Sequence, residues 1–312
     1  MAKQTSQAIR IHQYGGPEIL KLEAVQHAQP QAGEVLVRVL AAGMNPVDWK
    51  ITEGHVRDFM PIQFPYIPGR DIAGIVEEVG PGVTKFQKGQ AVFGQTTQGG
   101  YAEYTVSPVA KLALKPETLS FEEAATIPVG ATTAWQGLFE HADLQAGQTI
   151  LVQGAAGGVG LFVVQFARWK GAHVIATTST ANVDFVRSLG AEKVIDYKTT
   201  SVEQVVHDVD FVFDTVGEAT LGSSVQVVKQ GGTLVTIAGQ PSEQKVRERN
   251  LKVASFMAQV STELLQTFAR LIDEGQVKVA IEKTFPLSDA GEASTHSKSG
   301  HGRGRVVLNV AK

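Results

Sequence analysis

The sequence contains no cysteine. That absence excludes disulfides, thiolate nucleophiles and any cysteine-ligated metal site together, and it fits a reducing compartment such as the cytoplasm. Neither sign of charge dominates. The 28 Lys+Arg against 31 Asp+Glu leave a formal net charge of -3, which gives no long-range attraction to polyanions. There is also no arginine-rich or aromatic-basic motif of the kind that binds RNA. No run approaches the roughly 18 apolar residues that a membrane-crossing helix needs; the longest, 159–167, is broken by Gln165. Residues 1–11 lack the apolar core and small-residue cleavage site of a signal peptide. The expectation is a soluble, cytoplasmic protein with neither nucleic acid nor membrane among its partners.

What is present has two grammars. A chain of 312 residues, 43% hydrophobic and 19% charged, is about right for two globular domains. From 8 to about 126, short β-prone runs are separated by Gly and Pro. Residues 34–40 alternate polar and apolar, 72–79 end in a turn at Gly80-Pro81-Gly82, and 91–94 and 101–106 continue the pattern. These read as half-buried, mostly antiparallel strands. From about Pro128 onward, strands and helices alternate. Apolar strands are predicted at 149–152, 173–177, 193–196, 211–214 and 233–237, with helices at 157–170 and 182–189. Continuous apolar strands between helices predict a parallel sheet covered on both faces. A helix at 262–274 then leads to strand-like 279–281 and 306–310, which match the first grammar. The chain is expected to return and complete its β domain.

At the end of the first apolar strand stands Gly154-Ala155-Ala156-Gly157-Gly158-Val159-Gly160. A strand, a tight glycine turn and then a helix is the context in which such a motif binds a dinucleotide. Glycines let the backbone approach a pyrophosphate, and the helix N-terminus adds free amides and the positive end of a dipole. The spacing is G-x-x-G-G-x-G rather than G-x-G-x-x-G, and taken alone it could merely turn a strand into a helix. The succession of strands and helices after it favours the cofactor. Gly157, Gly158, Val159 and Gly160 are therefore candidate cofactor residues. NAD enzymes usually place an acid at the end of the second strand. Here Thr177-Thr178-Ser179-Thr180 stands there, with no acid before Asp184. Hydroxyls tolerate a 2′-phosphate where a carboxylate would repel it, so Thr178 and Ser179 point to NADPH; a plain polar loop would look similar.

Several blocks in sequence now resemble the zinc-free quinone oxidoreductase branch of the medium-chain dehydrogenase/reductase superfamily. They are Ala41-Ala42-Gly43-Met44-Asn45-Pro46-Val47-Asp48, Pro68-Gly69-Arg70-Asp71, Gly99-Gly100-Tyr101-Ala102-Glu103-Tyr104, Ala124-Ala125-Thr126-Ile127-Pro128, the glycine turn, and Gly302-Arg303-Gly304-Arg305. Their order is kept over nearly the whole chain. The resemblance implies an α/β fold, with a Rossmann doubly wound parallel sheet plus a GroES-like irregular β-barrel domain. It divides the chain into a catalytic domain, 1–126 with 258–312, and an NADPH-binding domain, 127–257, with the active site between them. It further implies a homodimer that reduces quinones or activated α,β-unsaturated carbonyls. Zinc-dependent alcohol dehydrogenases of the superfamily carry Cys where Asn45 falls and His where Arg70 falls. Both are missing here, and His55 alone cannot supply the three or four ligands that zinc needs. No metal is expected.

The resemblance also nominates individual residues. Asn45 falls where the family has an amide near the nicotinamide ribose, although Asn-Pro also opens ordinary turns. Lys50 matches a lysine of the plant-type enone reductases that contacts the cofactor and favours oxyanion charge; a surface lysine is the plain alternative. Asp48 is read as bracing this loop. Tyr197 matches a tyrosine near the adenosine phosphate, or is a strand-end aromatic. Ala238 and Gly239, at the carboxyl end of an apolar strand, leave room for a nicotinamide. Arg305 matches a basic position of the family close to the cleft and is a cofactor-binding candidate, with surface charge as the plain alternative. Asp214 is read as capping its turn, and Trp49, Trp135 and Trp169 as packing residues. Two other functions stay open. An enoyl-thioester reductase would want a tyrosine donor in the loop after Asn45, and none occurs between Asn45 and Met60. A non-enzymatic NADPH-binding sensor or structural protein would bind the cofactor without oxidising it.

Overall fold

The computed structural model describes residues 5–97, 99–300 and 302–310. The chain forms two compact units. One holds the chain up to Val129, Val260–Gly275 and the chain from Val279 on; the other holds Gly130–Gln259 and Gln276–Lys278.

The first unit is built on one coiled sheet. Its strand order is Ile281–Pro286, Arg305–Asn309, Glu34–Gly43, Asp71–Val79, Ala91–Gln95 and Leu112–Leu114, with Tyr104–Pro108 also paired to Glu34–Gly43. Only the pair between Ile281–Pro286 and Arg305–Asn309 is parallel. Register shifts between Leu36 and Val37, and between Val39 and Ala41, break the ladder to Asp71–Val79. Such irregularities bend a sheet. The alternation read at 34–40 puts Val35, Val37 and Val39 into a core shared with Ile72, Val92 and Leu308. Thr5–Arg10 and Lys21–Gln26 make a separate two-stranded ribbon.

The second unit has six parallel strands in the order Lys193–Asp196, His173–Thr178, Thr149–Gln153, Val209–Asp214, Val228–Thr236 and Lys252–Ala254. Counted along the chain, that is 3-2-1-4-5-6, the doubly wound order. The sequence order reverses beside Thr149–Gln153, which creates a switch point just past Gln153. Helices cover the sheet, and for this reason Ile150, Leu151, Val152, Phe211, Val212 and Phe213 are all buried without alternation.

Some elements start later than their sequence pattern predicts. The helix after the glycine turn runs Gly160–Lys170 rather than from 157, because the Gly157 N–H closes a turn onto the Gly154 carbonyl at 3.1 Å. It ends as expected at Gly171, left-handed with φ 88°. The strand predicted from 101 starts at Tyr104, since the Tyr101 N–H is taken by the Pro68 carbonyl at 2.9 Å and its ring is buried. The segment after Asn45, read as a loop, is a helix, Pro46–Thr52, with proline in its first turn and Asp48 at its third position.

Candidate functional site

The glycine turn is built by cross-strand bonds. The Gly154 N–H donates to Thr177 Oγ1 at 3.2 Å, the Ala155 N–H to the Thr177 carbonyl at 3.0 Å, and Thr177 Oγ1 to Gln153 Oε1 at 2.7 Å. Gly160 must be glycine, because a Cβ there would sit 2.2 Å from the Gly154 carbonyl oxygen and 2.8 Å from Ala155 Cα. A Cβ on Gly157 would meet only the Gly154 oxygen, at 3.4 Å. Space therefore remains beside Gly157 for a close-lying group. Gly157, Gly158 and Val159 are half-buried at the N-terminus of an eleven-residue helix, where backbone amides and the helix dipole favour an anion.

On the second strand, Thr178 is buried and Ser179 half-buried. Ser179 opens a short turn, its carbonyl accepting from the Asn182 N–H at 2.9 Å. The Tyr197 N–H donates to the Thr178 carbonyl at 3.1 Å, and its ring is 53% exposed, a flat apolar face beside the hydroxyl loop. One carboxylate stands in this region that the sequence reading missed. Asp196, from the third strand, accepts from Thr180 Oγ1 at 2.6 Å and from the Lys198 N–H at 2.9 Å.

At the far side of the switch point, Ala238 is half-buried and Gly239 exposed with φ 121°. A Cβ on Gly217 would lie 1.8 Å from the Ala238 oxygen, so these two strand-end loops are in contact. Asp214 is fully buried and holds its loop closed: its Oδ1 accepts from the N–H groups of Val216 and Gly217 at 2.9 and 3.0 Å, and its Oδ2 from Ser224 Oγ at 2.7 Å. A second residue escaped the sequence reading. Thr132, at 0% exposure on the helix Pro128–Trp135, has an Oγ1 without any hydrogen-bond partner. A buried hydroxyl left unpaired is costly, and a ligand donor or acceptor would relieve it. Between Ala131 and Thr133, a threonine reads as helix filler, which is why no pattern flagged it. The open space at Gly157 and the exposed Tyr197 ring beside the hydroxyl loop fit a dinucleotide.

In the first unit, Asn45 sits in a buried polar cluster. Its backbone N–H donates to Asp48 Oδ2 at 2.7 Å, and its Nδ2 to Asp71 Oδ2 at 3.0 Å. Asp71 also receives the Val129 N–H at 3.0 Å, and Tyr101 donates its hydroxyl to Asp48 Oδ2 at 2.9 Å. The Asn45 amide is thereby fixed, with its Oδ1 buried and lacking a hydrogen-bond partner: an acceptor held ready. Burial pushes the Asp71 carboxyl up to about 7, against the attraction of Arg305 and the bonds from Val129 and Asn45. Burial likewise raises Asp48, opposed by the Asn45 N–H, Tyr101 and the guanidiniums of Arg70 and Arg305. Arg305 is itself buried, which lowers it, while Asp71 and Asp48 resist that change. The structure thus brings Asn45 and Arg305 together around Asp71. Lys50 stands apart, with its ammonium 5.6 Å from the centre of the Trp49 ring; Lys298 approaches the same ring at 5.3 Å. Among the described residues, no group of three His, Asp or Glu is placed to hold a metal ion.

Family comparison agrees with this architecture. The alcohol dehydrogenase GroES-like domain matches residues 31–117, and the zinc-binding dehydrogenase family matches 189–308. A chloroplast envelope quinone oxidoreductase homolog from Arabidopsis thaliana is 34% identical, over 99% of both chains. The chain belongs to the quinone oxidoreductase branch of the medium-chain dehydrogenase/reductase superfamily. Within this superfamily, an NADPH-dependent alkenal/one oxidoreductase of Arabidopsis thaliana is 33% identical over 95% of this chain and 77% of its own. The Escherichia coli quinone oxidoreductase, solved in complex with NADPH, superposes with a TM-score of 0.89 at 27% identity, covering 98% of this chain and 100% of that one. The Rossmann sheet and the GroES-like β domain are those of the medium-chain dehydrogenase/reductase fold.

Proposed function

We propose that this protein is an NADPH-dependent oxidoreductase that reduces quinones or activated α,β-unsaturated carbonyls without a metal ion. The observation that carries the reading is the open glycine cradle at the switch point of the parallel sheet. It is supported by relatives named for quinone and for NADPH-dependent alkenal/one reduction and by a structural neighbour that holds NADPH.

Bound NADPH supplies the hydride, delivered to the β-carbon of an enone or to a quinone. The chain's residues do the rest. Amides at Gly157, Gly158, Val159 and Gly160 receive the pyrophosphate. Thr178 and Ser179 offer hydroxyls to the 2′-phosphate, and Tyr197 packs against the adenosine end. Ala238 and Gly239 leave room at the nicotinamide. Asn45, its Nδ2 tied to Asp71, offers Oδ1 as an acceptor, and Lys50 supplies positive charge where oxyanion charge develops. Arg305 supports this end of the site through Asp71. Water provides the proton, so no dedicated acid is needed. In place of a cysteine and a histidine ligand, the chain has the Asn45 amide, committed to Asp71, and the Arg70 guanidinium. We further read the protein as a homodimer divided near 126 and 258 on the strength of the family resemblance, and as cytoplasmic because it lacks cysteine; sedimentation equilibrium tests the dimer.

The deciding assay follows NADPH absorbance with a naphthoquinone, an alkyl vinyl ketone and a crotonyl thioester, before and after chelation. Oxidation with the first two, unaffected by chelator, is expected. Tight NADPH binding with no oxidation by any of them would overturn the enzyme reading, and a preference for NADH would overturn the hydroxyl-loop argument. If Lys50→Ala left both cofactor affinity and turnover intact, that residue's role would fall.

A further inference from the structure

The first unit contains a cavity of about 650 Å³ whose wall includes Ile51, Met60, Ile62, Phe64, Tyr66 and Arg70. Five of these present apolar or aromatic surface and the sixth is a guanidinium; Gln63 and Thr97 add polar groups to the same wall. Arg70 is half-buried, and its Nε is cut off from solvent without a hydrogen-bond partner. The neighbouring polar group that the guanidinium influences is the hydroxyl of the buried Tyr66. Among the described residues, no carboxylate lies within 4.0 Å of it.

Its nearest acidic influence is Asp48, which is already engaged. That carboxylate accepts from Asn45 and Tyr101 and also faces Arg305. Asp71 balances Arg305 too, but burial favours its neutral form. Two guanidiniums therefore share carboxylates that are reluctant to ionise, and the one with less compensation opens on the cavity. A guanidinium whose Nε is cut off from water and unpaired is unfavourable until an anion joins it. Guanidinium is also the side chain whose planar fork matches a carboxylate.

We propose that Arg70 is a specificity-determining residue, pairing with a carboxylate carried by the substrate while Ile51, Met60, Ile62 and Phe64 take the carbon chain. The preferred substrate class is then an α,β-unsaturated ketone or aldehyde that also bears a carboxylate, an oxo-enoic acid. This rests on the reductase reading above and narrows it. The reaction balances as before: hydride adds to the β-carbon, a proton from water adds to the α-carbon, and the carboxylate is unchanged.

The test compares trans-4-oxo-2-pentenoate with 3-penten-2-one, in which a methyl group replaces the carboxylate. The kcat/KM of each is measured with NADPH for the wild type, Arg70→Gln and Arg70→Lys. One charge-assisted pair corresponds to about a ten- to hundredfold preference for the carboxylate substrate. That preference should collapse toward unity in R70Q, through KM, and survive in part in R70K. No preference in the wild type, or an equal loss on both substrates in R70Q, would overturn the proposal; the second result would make Arg70 a partner of the reacting oxygen instead. A binding arm separates this idea from the reductase reading. Titration calorimetry of 4-oxopentanoate should show saturable binding that R70Q abolishes and 2-pentanone does not reproduce. That result supports the carboxylate site even if neither enone is reduced, whereas reduction of both enones without carboxylate binding supports the reductase and sinks the site.

Discussion

Replacing Asp71 by asparagine should remove a pH dependence of stability that the wild type carries. Asp71 is fully buried, and its folded-state value is raised from 3.8 to about 7. The folded protein therefore holds a proton that the unfolded chain has already released at pH 5. Wherever the native state binds more protons than the unfolded state, stability falls as pH rises. The stabilising contribution is complete below pH 4 and is lost as pH passes through 7. Each pH unit inside that window costs up to about 1 kcal/mol, and allowing for partial titration near 7 the loss between pH 5 and 8 is roughly 2–3 kcal/mol. The asparagine of the D71N variant cannot ionise, and its side-chain oxygen can still accept one of the bonds from Asn45 and Val129. Urea unfolding at half-unit steps from pH 5 to 8 would isolate the effect as the difference between the two proteins, since histidines and the carboxylates outside this cluster titrate alike in both. The wild type should lose stability relative to D71N across this range. Parallel curves would refute the reasoning and mean that Arg305 keeps Asp71 ionised throughout.

Two further substitutions probe the cradle. Gly160→Ala drives a Cβ into the Gly154 carbonyl and should destabilise the protein by about 2–3 kcal/mol; an unchanged urea midpoint would mean that the turn opens freely. Thr132→Val keeps shape but removes the orphaned hydroxyl. It should leave stability equal or slightly higher while weakening NADPH binding about tenfold by fluorescence titration, and unchanged affinity would assign Thr132 no part in the site.

The parallel sheet was the most legible part of the molecule. Strands buried on both faces carry uninterrupted apolar runs such as Phe211-Val212-Phe213, and the glycines of the turn at Gly154 stand out between a strand and a helix. The helix Pro46–Thr52 was not legible, because seven residues are too few for a periodic pattern and Asn-Pro opens turns and helices alike. The Asn45–Asp71 bond joins residues 26 apart. It depends on strand register: Gly43 lies opposite Asp71, which puts Asn45, two residues on, within reach. Asp196 was overlooked for a similar reason. It enters the hydroxyl loop from a neighbouring strand, so inspection of the second strand's own end could not reveal it. Arg70 was visible only as a missing histidine; its burial and its cavity are properties of the fold.

The strand Arg305–Asn309 sits between Ile281–Pro286 and Glu34–Gly43, with Val307 opposite Gly43 and Asn309 opposite Ala41. A ribosome delivers it long after the strand it must cover. Until then, the backbone edge at Ala41–Gly43 is an open template for wrong pairing, next to the segment that carries Asn45. The same strand brings Arg305, so Asp71 and Asp48 acquire that counter-charge only when the strand docks. Closing so long a loop is slow. The polar cluster is thus completed only after that strand has emerged and docked, and until then the open edge is exposed to aggregation.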